Sequence, residues 1–183
     1  MMKPMSITEL KKELKKLDYS ELIELISSLY KANDKVKMIL NVQFIGEKCQ
    51  SELLDAYKKK MNAEFFSNNT GKMPSLKAAK ALLVDFKKLG SFEMILDLML
   101  YYVECGDQFT NEFGDINESF YASLCSVYGQ FINQLNSNGS EALYLKFRER
   151  IYNLVLSSTN TGWGFGAFIL EKSLELNWNE DEQ

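Results

Sequence analysis

The sequence has 183 residues, of which 46% are apolar and 25% charged, with 21 Lys and Arg against 25 Asp and Glu, two Pro, three Cys and no His. These are the proportions of an ordinary globular chain, long enough to bury a core without disulfides or a structural metal. The absence of His removes His-based triads and dyads, His metal ligands and imidazole pH switches.

Helix signals dominate from the start. Ser6 and Glu9 form a capping box ahead of Leu10, Leu14 and Leu17, and Asp18 with Glu21 repeats the device before Leu22, Leu25, Ile26 and Leu29. Asp34 is placed to cap a third helix through Val36, Ile39, Leu40 and Phe44, which Gly46 would end. A fourth is expected over 48–66, with Leu53, Leu54, Tyr57 and Met61 on one face. The polar stretch 67–74, with a Gly and a Pro, reads as a linker. Ser75 opens a helix to Leu89, closed by Gly90; Ser91 opens the next, apolar at nine of the ten positions from Met94 to Val103. Asp115 and Glu118 offer an acidic capping box before a helix over 117–136, and Ser140 starts another reaching Leu156. A last helix is expected through Trp163, Phe168, Ile169 and Leu174, ahead of an acidic tail over 179–183.

No segment alternates with period two, so the expected fold is all-α. Eight or nine helices would pair as antiparallel hairpins, stacked into an irregular superhelix or closed into a bundle. The expected organisation is one helical domain over 1–178, with a possible division at 67–74. The longest apolar stretch, Met94–Val103, is ten residues and contains Asp97, half of what a membrane span needs. Cys49, Cys105 and Cys125 are far apart, without Cys-x-x-Cys, the pattern of reduced thiols in an intracellular protein. A cytoplasmic protein without a cofactor is the resulting expectation.

Charge is segregated along the chain. Residues 89–145 hold no Lys or Arg and eight acids, Glu93, Asp97, Glu104, Asp107, Glu112, Asp115, Glu118 and Glu141. Residues 1–88 carry a balance of +6. Two readings are open: central helices covered by neighbours, or an acidic surface facing a cation, a basic partner or the chain's own N-terminal half. Residues 119–140 carry no charge at all, and Ser119, Ser123, Ser126, Gln130, Asn133 and Ser137 form one polar stripe. A helix without charges is usually covered.

Candidate chemistry concentrates in the acidic third. Asp97, Tyr101, Glu104 and Gln108 fall at i, i+4, i+7 and i+11, on one face of an otherwise apolar helix. With Glu112 and Asp115 they make a candidate polar pocket, either a structural seam or a carboxylate site for a hard cation or proton transfer. The run from Asp107 to Glu118 is not an EF-hand, because Phe109 and Glu112 stand where a ligand and the turn glycine belong. No metal is assigned. Gly162-Trp-Gly-Phe-Gly166 lacks the strand and the Lys-Ser/Thr of a phosphate loop. Trp163 and Phe165 are therefore candidates either for an aromatic lip facing a ligand or for a plug at the end of the helical stack. The lysines of the N-terminal half are interleaved with acids and read as solvated faces, so nucleic acid is not the expected partner.

Asp85-Phe-Lys-Lys-Leu-Gly90, Asp97-Leu-Met-Leu-Tyr-Tyr-Val103, Phe109-Thr-Asn-Glu-Phe-Gly-Asp115, Phe120-Tyr121 and Gly162-Trp-Gly-Phe165 stand together with the lysine-rich opening Glu9–Leu17 and with Glu21–Leu25. This set resembles a functionally uncharacterised, all-helical bacterial domain family over nearly the whole chain. The resemblance implies a single cytosolic domain and supplies no catalytic residues. The expected function is a non-enzymatic helical interaction module for a protein or peptide, a second copy included, with no membrane partner. The alternative is a small Mg²⁺-, Ca²⁺- or Mn²⁺-dependent enzyme using the central carboxylates.

Overall fold

A computed structural model describes residues 4–45, 47–66 and 73–178. Most of the expected linker, residues 67–72, and the acidic tail 179–183 lie outside the described residues, as does Gly46. Among the described residues there are nine α-helices and no strand. The chain divides into two compact units, Met1–Glu47 and Lys48–Gln183.

The first unit contains α1 (Ile7–Leu14), α2 (Tyr19–Ala32) and α3 (Asp34–Phe44). Both expected capping boxes form: Ser6 accepts from the Glu9 N–H and Asp18 from the Glu21 N–H, while each glutamate reaches back to the cap. The third cap is Asn33 rather than Asp34; its side chain accepts from the N–H groups of Lys35 and Val36, and Asp34 is already inside the helix. Asn in extended backbone is as good a cap as Asp, so the two adjacent residues could not be ranked by type. α2 and α3 pack together, and Tyr30 donates to Asn41 Oδ1 at 2.9 Å. The apolar content of this unit is spread outward: among its described residues only Val42 is buried.

The second unit holds α4 (Glu47–Phe66), α5 (Leu76–Phe86), α6 (Phe92–Phe113), α7 (Glu118–Asn138), α8 (Glu141–Ser158) and α9 (Phe165–Leu174). α6 is its centre. Twelve of its residues are buried, Leu96, Leu98, Leu100, Tyr102 and Val103 completely, as its nearly continuous apolar run requires. α6 packs on α7 and α8, and α9 closes against both, so these four helices form a bundle in the order α6, α7, α9, α8. α5 lies on α6, and α4 reaches the same core through Phe65 against Tyr102 and Phe66 against Phe109. The aromatic chain continues through Phe109, Phe120, Tyr121 and Phe165.

In the second unit, boundaries of α5, α7 and α9 differ from the sequence reading. α5 ends at Phe86, three residues before Leu89, in a turn that seats Gly90 against the Phe86 ring. α7 is capped by Asn117, whose side chain accepts from the Phe120 N–H, and not by Asp115. Trp163 precedes α9 rather than belonging to it, because Gly164 at φ +71° breaks the helical path there. At Gly166 a Cβ would stand 2.1 Å from the Ser158 carbonyl oxygen. Only glycine allows α9 to start that close to the end of α8.

Candidate functional site

The acids of the middle third separate into groups with different partners. Asp97 and Glu104 lie seven residues apart on α6 and meet Arg150 from α8. Arg150 donates from Nε and Nη2 to the two Glu104 oxygens at 2.8 and 2.7 Å, a bidentate pair, and from Nη1 to Asp97 Oδ1 at 2.6 Å. Lys58 of α4 approaches the same Asp97 oxygen at 2.8 Å and stands 5.4 Å from the centre of the Tyr101 ring. Burial lowers the Arg150 pKa, but Glu104 and Asp97 outweigh it and leave the guanidinium pKa above its usual value. The cluster is half-buried and electrically balanced: two carboxylates, one guanidinium, one ammonium. It ties α4, α6 and α8 together.

Tyr101 borders this seam. Burial, followed by the neighbouring Cys105, pushes its hydroxyl up to about 12. Gln108, a further turn along, is exposed. Glu112 is also exposed, about 12 Å along the helix from Glu104.

Asp115 belongs to a second cluster. It accepts from the Tyr121 hydroxyl at 2.5 Å and from the indole N–H of Trp163 at 3.1 Å. Tyr121 gives its only proton to Asp115, and the Thr110 hydroxyl, 2.6 Å from the Tyr121 oxygen, shares its own proton between that oxygen and the Gly114 carbonyl at 3.1 Å. The Ile116 N–H also donates to the Tyr121 oxygen. Burial first, and Asp115 second, raise the Tyr121 pKa. Gly162 lies flat against the carboxylate, where a Cβ would come within 3.0 Å of Oδ2. Trp163 itself adopts φ +57°, a backbone region that costs a bulky residue about 1–2 kcal/mol. Trp163 is 58% exposed, whereas Phe165 is completely buried. The two aromatics grouped by the sequence thus part company: Phe165 is buried in the core and Trp163 is exposed.

Among the described residues Asp107 is the one charged residue that is buried. Its Oδ2 accepts from Ser157 at 2.6 Å and Asn111 at 3.1 Å, while Oδ1 has no hydrogen-bond partner. Burial raises its pKa, with Ser157 and Asn111 opposing the shift. The candidate pocket of five residues is therefore not one site: Asp97, Tyr101 and Glu104 share a seam, Asp115 faces Trp163, and Glu112 faces solvent. Among the described residues no group of three or more His, Cys, Asp or Glu is placed to hold a metal ion. Burial pushes Cys105 up to about 12 and Cys125 up to about 11, so both thiols are protonated at neutral pH.

The sequence reading overlooked the outer face of α8 and α9. Leu145, Tyr152 and Leu156 on α8 and Leu170 and Leu174 on α9 are each between 47% and 62% exposed. A groove of about 750 Å³ between the two helices is lined by four of these, Leu145, Tyr152, Leu170 and Leu174, and also by Arg148 and Glu149. The spacing i, i+7, i+11 of Leu145, Tyr152 and Leu156 was available in the sequence; their being outside was not. The stripe on α7 is outside as well: Ser119, Ser126, Gln130, Asn133 and Ser137 are exposed and Ser123 is half-buried, so most of the stripe is not covered by its own chain.

A family model matches residues 5–166, the family of unknown function DUF6155. The chain belongs to this family. No curated protein and no solved structure matches it. The matched region takes in the Arg150 clamp, the Asp115–Trp163 corner and all of α8. Among the described residues no helix is long and apolar enough to cross a membrane.

Proposed function

We propose that this DUF6155 chain is a non-enzymatic helical interaction module that docks a protein or peptide partner on the α8–α9 face. The observation that supports this reading is the exposure of Leu145, Tyr152, Leu170 and Leu174 along one groove. Such a face suits the apolar side of an amphipathic helix, whose anchors at i, i+3, i+4 and i+7 fill the trough between two helices. The acidic middle of the chain contributes differently from the expectation. Asp97 and Glu104 are compensated internally by Arg150 and Lys58, and so serve the scaffold rather than a basic partner.

The alternative of a metal-dependent enzyme on Asp97, Glu104, Glu112 and Asp115 draws no support from their separate placement. Nucleic acid is not the proposed partner, since Lys58 is turned onto Asp97 and the other lysines are interleaved with acids. The cytoplasm is the proposed compartment; three unpaired cysteines support it.

The test is affinity capture from native lysate with the wild type and Tyr152→Glu in parallel. Proteins retained by the wild type and lost with the variant are the expected result. Identical retention by both would overturn the assignment of the face. Thermal shifts with Mg²⁺, Ca²⁺ and Mn²⁺ separate the alternative: a selective rise in melting temperature with one of them would revive the enzyme reading.

A further inference from the structure

We infer that Trp163 and Asp115 form a docking point for an arginine side chain of a protein partner, its guanidinium stacked on the exposed indole and forked onto the carboxylate. The α8–α9 groove plays no part in this inference.

Trp163 is the one non-glycine residue with positive φ among the described residues, at +57° and with Gly162 and Gly164 on either side. A bulky side chain is strained in that region. Trp163 is also more than half exposed, so core packing does not account for its size. Its ring is held by its edge, the indole N–H donating to Asp115 Oδ2 at 3.1 Å. Further along the same loop, Gly166 rests against the Ser158 carbonyl and fixes the start of α9. An indole held in this way is set in place before a ligand arrives, which spares the ligand the entropy of ordering it.

The carboxylate beside it is charged and uncompensated. Asp115 is exposed, and both of its donors are neutral, the Tyr121 hydroxyl on Oδ1 and the indole N–H on Oδ2. Among the described residues it makes no ion pair. Each oxygen has accepted one hydrogen bond and keeps room for another. A flat cation with two parallel N–H donors, able to stack on an aromatic face, is a guanidinium. A lysine ammonium is a compact, strongly hydrated charge without the fork. A quaternary ammonium has no N–H for the carboxylate and is recognised by cages of several aromatics. Here the neighbouring rings, Tyr121 and Phe165, are buried.

The arginine comes from another protein. This chain has two, and Arg150 is held by Asp97 and Glu104 while Arg148 has an interaction within its own chain. The stretch that carries Asp115, residues 89–145, contains no Lys or Arg, so it attracts a basic segment and offers no cation to repel it.

The experiment follows Trp163 emission in the full chain carrying Trp178→Phe, which leaves one tryptophan. The probe is a capped Gly-Arg-Gly peptide titrated into the millimolar range at low ionic strength, beside the same peptide with lysine or citrulline. The arginine peptide should give a saturable change, about fivefold tighter than lysine and absent with neutral citrulline. Added salt should weaken it, as for any exposed ion pair. Asp115→Asn keeps an oxygen acceptor for Tyr121 and Trp163 but removes the charge, and should weaken binding about tenfold. Trp163→Gly, a residue suited to that φ, should abolish binding in calorimetry while the far-ultraviolet circular dichroism stays that of the wild type. No saturable response to the arginine peptide overturns the inference, as does an equal response to citrulline or binding unchanged by Asp115→Asn. A response to tetramethylammonium as strong as that to arginine overturns it too, because the fork would then play no part. The peptide comparison needs neither site variant, so it decides even where one of them fails to fold.

Discussion

The two halves of α6 hold acids of the same kind under opposite conditions. In the first half Asp97 and Glu104 meet Arg150 and Lys58, and their charge is cancelled within the fold. In the second half Asp107 meets only a serine hydroxyl and an Asn amide, and Asp115, just past the helix end, meets a tyrosine hydroxyl and an indole N–H. Neutral donors solvate a carboxylate without neutralising it. The second half also lies at the C-terminal end of the helix, where the backbone dipole disfavours negative charge. The difference teaches that clustering of acids along a sequence says little about the charge a surface presents; the donors across the helix interface decide it.

The comparison can be broken most sharply at Arg150. Arg150→Ala leaves Asp97 and Glu104 without their shared guanidinium, and a loss of about 2–3 kcal/mol is expected in chemical denaturation, discounted for partial exposure of the cluster. Adding Glu104→Gln should recover part of that loss, because one of the stranded charges is gone. At the other end, Asp115→Ala should cost about 1–2 kcal/mol by leaving the Tyr121 hydroxyl and the Trp163 indole without an acceptor.

Asp107 gives the opposite sign. Its native pKa is raised, so the folded state holds the proton to higher pH than the unfolded chain does. Its contribution to stability is fully present below the unfolded value and is lost as pH rises through the raised native value. Asp107→Asn should therefore flatten this part of the pH dependence, and at neutral pH raise stability by about 1 kcal/mol. A melting-temperature series from pH 4 to 8 checks it; a variant that melts lower than the wild type at neutral pH would show the ionised form to be better solvated than its contacts imply. The smallest effect belongs to Gly162→Ala. The added methyl presses on the Asp115 carboxylate at about 3 Å and should cost under 1 kcal/mol if the side chain gives way.

Local features of this architecture were legible in the sequence. The capping boxes at Ser6 and Asp18, the Ser75, Ser91 and Ser140 caps and the continuous apolar run of α6 are local patterns, and each forms as read. The family resemblance held over most of the chain. The site was less legible because its pairings are remote: Arg150 lies 53 residues from Asp97, and Trp163 lies 48 from Asp115. No spacing rule links such positions. The grouping of Asp97, Tyr101 and Glu104 survives because helical periodicity governs it. Asp115 does not join them, because the chain turns at Gly114, φ +92°, and carries it to another corner, and Glu112, still on α6, faces solvent. One clue could have been read: a chain that uses lysine nearly everywhere places its two arginines in a single helix.

The two tryptophans of the chain bracket the α8–α9 hairpin. Trp163 stands at its loop with an open indole face, and Trp178 stacks on Tyr144 at the far end, 5.9 Å between ring centres. The protein therefore carries its own optical gauge. Anything settling along the trough beside Tyr144 will shift the emission of the stacked indole and leave that of the loop indole nearly unchanged, so replacing each in turn by Phe separates occupancy of the trough from movement of the loop without an added dye.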